Sequence, residues 1–155
     1  MFRFALTVLI WTACAVTAQA QGRARLDSIT VHAFLTKSGT LSEDLAKIEG
    51  FGARNFSIQG KGIAEGERFY AILIKVKLTA PKEIFAKGTQ AEIVVTDRRT
   101  KKVVRREKIA DLYIGDHGWT IQPVFLPDAA CGPFEIVASG GGRKLTRAIE
   151  ATCGE

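Results

Sequence analysis

Seven cationic side chains crowd one short run of the chain: Arg98, Arg99, Lys101, Lys102, Arg105, Arg106 and Lys108, opposed within it only by Asp97 and Glu107. Guanidinium and ammonium groups at this density attract an anionic partner, whether a lipid head group, lipopolysaccharide, an acidic glycan or an acidic protein surface. The chain of 155 residues holds 22 basic and 16 acidic side chains. Once Arg3 is set aside with the N-terminal leader described below, the basic excess of the remainder equals the excess in this one run. The positive charge is therefore local. The same residues would also serve simply to keep a strand edge from pairing with other chains. Arg105 and Arg106 add a constraint, because consecutive strand residues point to opposite faces. One of the two must project beyond the core, snorkel or meet a buried partner. Nucleic acid is disfavoured as the partner, since no aromatics interleave with the cations and the chain carries an export leader.

The remaining residues capable of chemistry are sparse. His32 falls in a strand-like run and reads as a partly buried strand residue. Asp116-His117 falls in a glycine-bounded turn, with Asp116 expected to bond to backbone and Trp119 to pack behind it. A metal or acid-base site needs convergent ligands, and two isolated histidines supply none. Gly60-Lys-Gly62 is not followed by a helix and Gly140–Gly142 joins two strands, so both read as turns and not as phosphate cradles. Asn55-Phe-Ser57 matches the N-glycosylation sequon, which matters only in a eukaryotic source. No catalytic, cofactor-binding or metal-ligating residue is assigned, and the expectation is a protein that is not an enzyme.

Cysteine placement follows from the leader. Met1 to Ala20 has one early charge, Arg3, an apolar stretch from Phe4 through Val16, and the exit Ala18-Gln19-Ala20, the order of a secretory signal peptide. Its apolar run is too short to cross a bilayer, and no other segment approaches the required length. Cleavage removes Cys14 and leaves Cys131 and Cys153, which an oxidising compartment would pair as a disulfide. Those two flank strand-like runs at Phe134–Ala138 and Lys144–Ile149, and a hairpin folded near Gly142 brings them together. A register centred on Gly142 would put Phe134, Ile136 and Ala138 on the opposite face from Leu145 and Ile149, so a one-residue shift or a bulge is expected.

The elements that must carry these residues read as mostly β. Gln21–Leu26 is expected to be a basic flexible lead-in. A first strand at Ser28–Leu35 alternates Ile29, Val31, Ala33 and Leu35 against polar residues, with Phe34 suggesting cover on both faces near its end. Thr40 and Glu43 have capping-box spacing, and Leu41, Leu45 and Ile48 share a face, which predicts one short helix over Thr40–Ile48. A short run follows at Asn55–Ile58. The strongest strand, Arg68–Thr79, places Tyr70, Ile72, Ile74, Val76 and Leu78 on one apolar face. Pro81 and Lys87-Gly88 interrupt the pattern before a hairpin of Ala91–Thr96 and Val103–Ile109. Trp119–Leu126 completes the set, and Pro123 marks it as an edge strand or a bulge.

Short strands separated by turns, with no regular crossover helices, predict a single antiparallel immunoglobulin-like β-sandwich over residues 21–155, with a small β-barrel as the alternative. The likeness is architectural, because the inter-sheet cysteine pair and intervening Trp of antibody domains are absent. The function expected is that of an exported, periplasmic or extracellular, binding domain whose basic hairpin engages an anionic envelope component. The alternative is an assembly or inhibitor protein that offers an exposed strand edge to another exported protein. No cofactor is expected.

Overall fold

A computed structural model describes residues 23–127 and 132–151. The leader, Cys131 and Cys153 lie outside the described residues. The described residues form ten strands: β1 (Arg25–Leu35), β2 (Thr40–Leu41), β3 (Gly52–Arg54), β4 (Ser57–Gln59), β5 (Phe69–Thr79), β6 (Ile84–Asp97), β7 (Val103–Ile114), β8 (Trp119–Leu126), β9 (Phe134–Gly140) and β10 (Arg143–Ile149). Two antiparallel four-stranded sheets, ordered β2-β1-β5-β8 and β10-β9-β6-β7, pack as a β-sandwich, and β3-β4 is a separate small hairpin.

Alternation drives the packing. Ile29, Val31 and Ala33 of β1 and Ile72, Ile74, Val76 and Leu78 of β5 turn inward and meet Ile93 and Val95 of β6 and Ile136 and Ala138 of β9. Each fully buried Ile, Leu or Val contributes about 1.5–3 kcal/mol relative to an exposed one. β1 begins earlier than its alternation suggests: Ala24 and Leu26 are buried, so the expected flexible lead-in instead supplies core. Phe34 is 42% exposed, and the second face near the end of β1 is open.

β5 departs from strict alternation at one point. Ala33 pairs Ile72 and Leu35 pairs Phe69, so β5 carries one extra residue there. The bulge turns Phe69 into the core and leaves Tyr70 44% exposed, tilted against Phe56 at 4.9 Å. A single slip moves a side chain across the sheet, and Tyr70 therefore leaves the apolar face expected of it.

The helix expected over Thr40–Ile48 contracts to β2 and a single 3-10 turn at Leu45–Lys47. Its polar residues have other work. The Ala33 amide donates to Ser42 Oγ at 2.9 Å and the Val31 amide to Asp44 Oδ1 at 3.1 Å, while Ser42 N bonds the Ala33 carbonyl. His32 Nδ1 donates to the Ser42 carbonyl at 2.8 Å, and Nε2 lies 2.8 Å from Thr30 Oγ1. These bonds cover the free margin of β1, and a helical backbone would withdraw them.

The β9-β10 hairpin resolves its parity problem by the one-residue shift. Ala138 pairs Leu145 and Phe134 pairs Ile149, with Gly141 and Gly142 both left-handed in a two-residue turn. Gly140 is required for a different reason. A Cβ there would lie 2.3 Å from the Gln90 carbonyl oxygen and 2.9 Å from Ala91 Cα. β6 and β7 are longer than their sequence pattern, because Lys87-Gly88 is a bulge inside β6 and not a break. Gly88 N donates to Asp111 Oδ1 there at 2.7 Å.

Candidate functional site

The basic run forms the tip of the β6-β7 hairpin and the first part of β7. Asp97 Oδ1 accepts from the Arg99 and Thr100 amides at 2.8 and 2.9 Å, Lys101 adopts φ 61°, and its amide bonds the Asp97 carbonyl at 2.8 Å. Asp97 N closes the turn on the Lys102 carbonyl at 2.9 Å. The Thr100 amide, aided by Arg99, holds the Asp97 carboxyl below its ordinary range despite some desolvation. Arg98 anchors the tip to the second hairpin, its amide on the Pro133 carbonyl at 2.7 Å and its guanidinium paired with Glu150.

The two adjacent arginines divide between faces as strand geometry requires. Arg105 pairs Val95, which is fully buried, and Arg106 pairs Val94. Arg105 nevertheless stays in solvent, because this end of β7 overhangs the core: Val103, Val104, Arg105 and Arg106 are all exposed. Arg105 meets Glu107 two residues along the same face at 2.8 Å, and Arg106 meets Glu92 across the strands at 2.8 Å.

The patch thus separates into two groups. Arg98, Arg105 and Arg106 are engaged by Glu150, Glu107 and Glu92. Among the described residues, the charged groups of Arg99, Lys101, Lys102 and Lys108 form no ion pair with a carboxylate within 4 Å, although the Arg99 amide bonds Asp97. Sequence spacing could not make this division, since Glu92 and Glu150 lie outside the run.

Elsewhere, His117 Nδ1 sits 3.6 Å from Asp116 Oδ1, both exposed, and the ring meets Trp119 edge-on at 5.0 Å. The turn is closed by Gly118 N on the Gly115 carbonyl, and Asp116 faces solvent, where backbone bonding was expected. Trp119 is 42% exposed with Lys77 over its ring, so it flanks the turn and does not back it. Among the described residues, no three His, Cys, Asp or Glu side chains gather to hold a metal. No described helix is long and apolar enough to cross a membrane.

Two features carry no sequence signal. One is a cleft of about 560 Å³ between β3-β4 and the loop after it, floored by Ala53, Ile58 and Ile63 with Arg54 and Glu65 at its rim. Glu67, 2% exposed in its wall, is a structural carboxylate that accepts the Lys37 and Ser38 amides at 3.2 and 3.0 Å. The other is an apolar row, Trp119, Ile121 and Phe125, exposed along the outer face of β8.

No protein-family model matches this chain, and a search of curated proteins finds no matching sequence.

Proposed function

We propose that the chain is an exported binding domain, not an enzyme, in which an immunoglobulin-like sandwich presents the β6-β7 tip to an anionic partner. The observation that carries this reading is the set of cations whose charged groups form no ion pair, Arg99, Lys101 and Lys102 on the turn that Asp97 bonds and Lys108 farther along β7. A preformed tip loses little conformational entropy on binding, so its charges act at full effect. Export rests on the leader at Met1–Ala20. A Cys131–Cys153 bridge is supported by the Gly132 amide bonding the Ala151 carbonyl at 3.1 Å, which carries the hairpin ladder to within two residues of each cysteine.

The test is binding of the mature chain to immobilised heparin and to phosphatidylglycerol vesicles at low and high salt. Binding falls steeply with salt, and the triple variant Arg99→Glu, Lys101→Glu, Lys102→Glu loses it while keeping its circular dichroism. Undiminished binding of that folded variant to both probes overturns the reading. Arg105→Glu with Arg106→Glu is the less direct variant, because both side chains already have carboxylate partners.

A further inference from the structure

A β-sandwich has four sheet margins, and three of them are blocked here. The β1-β2 margin is covered by Ser42 and Asp44. Arg143 and Arg147 of β10 reach across to the Leu26 and Ile29 carbonyls of β1 at 2.9 and 3.3 Å, drawing the β10 margin against the other sheet. β8 carries Pro123 at its centre, opposite Lys75, and a proline removes a donor from an edge. β7 has no strand beyond it, no proline and no side chain laid along it among the described residues.

The geometry points to β7 as a docking edge for an acidic, extended segment of another polypeptide, which adds to the β10-β9-β6-β7 sheet as a fifth strand. This rests on the anionic-partner reading and specifies the partner as polypeptide. Three observations converge on it. The ladder from Arg105 to Ile109 is regular, bounded by a bulge at Val104 and by the irregularity where Asp111 takes φ 48°. It spans roughly 17 Å, and alternate residues along it turn their amides and carbonyls outward. Val103 to Arg106 are exposed on both faces, so an added strand meets no obstruction beside this end of β7. Lys108, which forms no ion pair, stands on the outer face of the edge beside Arg106, which Glu92 engages, while Arg105 is paired with Glu107 on the other face and Val103 and Val104 are exposed at the tip end. A strand with carboxylates at alternate positions sets them all on one face, the outer one, beside Arg106 and Lys108. A second copy of β7 does not fit, because like charges directly opposite one another are destabilising.

The experiment titrates the mature, oxidised chain with a fluorescein-labelled octapeptide alternating Glu and Val. Two peptides of equal charge, each N-methylated on one of the two alternating sets of amides, serve as controls. The unmodified peptide binds, and methylation of one set weakens binding about tenfold or more while the other set has a small effect, because only one set faces β7. Amide resonances of Arg105–Ile109 shift in the same titration. Equal binding of all three peptides overturns the inference and leaves electrostatic attraction as the mode, with the anionic reading intact. Failure of every peptide while heparin or vesicles bind overturns it in the same way. Failure of peptides, heparin and vesicles together at low salt overturns both readings.

Discussion

The Arg143 guanidinium donates to the Leu26 carbonyl across 2.9 Å, joining the last strand of one sheet to the first strand of the other. Leu26 sits at a bulge, since Leu26 pairs Leu78 and Ser28 pairs Lys77 with Asp27 left between them. Arg147 repeats the device one step along, on the Ile29 carbonyl. Two long cationic side chains thereby close one flank of the sandwich.

Replacing Arg143 by Met keeps the apolar stem and removes the donor. A charge-assisted bond to a partly buried carbonyl supports a loss of about 1–2 kcal/mol, discounted for partial exposure. Urea denaturation at neutral pH checks it, and an unchanged midpoint with an unchanged slope would show that water replaces the guanidinium without cost.

Gly140→Ala and Gly142→Ala separate two roles of glycine in one turn. At Gly140 the new methyl meets main-chain atoms of Gln90 and Ala91 that cannot swing aside, and overpacking of this kind costs about 1–3 kcal/mol. At Gly142 the space is open, with φ +75°, and the cost is the left-handed strain of about 1–2 kcal/mol. Gly142→Asn should recover much of that second cost, because Asn tolerates the conformation, whereas Gly140→Asn should not. Thermal unfolding of the four variants discriminates; equal recovery at both positions would refute the distinction.

The Asp97 carboxyl titrates below its ordinary value of 3.8, chiefly through the Thr100 amide. A folded-state value depressed below the unfolded one stabilises the turn at all pH above the unfolded value, and the effect is lost as pH falls through the folded value. The Arg99 and Thr100 amide resonances should therefore stay constant above about pH 5 and move together with a midpoint under 3.8. Asp97→Asn abolishes that transition. A midpoint at or above 3.8 in the parent would contradict the assignment.

Tyr113 donates its hydroxyl to Glu83, and this bond, with the carboxylate charge, raises the phenol above its ordinary value of 10.0. The raised value favours the neutral ring, so the contribution is present below pH 10 and lost as pH rises through the folded value. Glu83→Gln should lower the alkaline ultraviolet midpoint assigned to Tyr113 by difference against Tyr113→Phe. An upward movement on that substitution would exclude the bond.

What the sequence discloses here depends on range. The alternation of Ile29, Val31 and Ala33, the edge position of Pro123 and the shifted β9-β10 register are local patterns, and the sandwich preserves them. Thr40 and Glu43 mislead because capping-box spacing says nothing of the β1 amides that Ser42 and Asp44 must satisfy. Tyr70 misleads because one bulge reverses a face. At the candidate site the cations were legible as a run, but not which of them are free. Glu92 and Glu150 reach Arg106 and Arg98 through cross-strand pairing and through the neighbouring hairpin, and no local pattern records either contact.

Pro123 offers the last test, of how the β8 margin is kept closed. Trp119, Ile121 and Phe125 stand exposed beside it on an edge strand, the combination of flat margin and apolar face that invites pairing between chains. Lys75 and Lys77 on the neighbouring strand β5 add charge next to this row, with Lys77 drawn toward Asp27 at 3.3 Å. The proline deprives the margin of a donor at its midpoint, and that single gap stops a continuous ladder from forming. Pro123→Val restores the donor and a β-branched side chain that favours extended backbone. The variant should therefore self-associate more strongly than the parent as concentration rises, detected by sedimentation velocity, with folded-state circular dichroism retained. Pro123→Val combined with Ile121→Lys should reverse the effect by placing charge on the margin. Identical sedimentation of the parent and Pro123→Val at every concentration would mean that the margin is guarded by Lys75 and Lys77 and not by the proline.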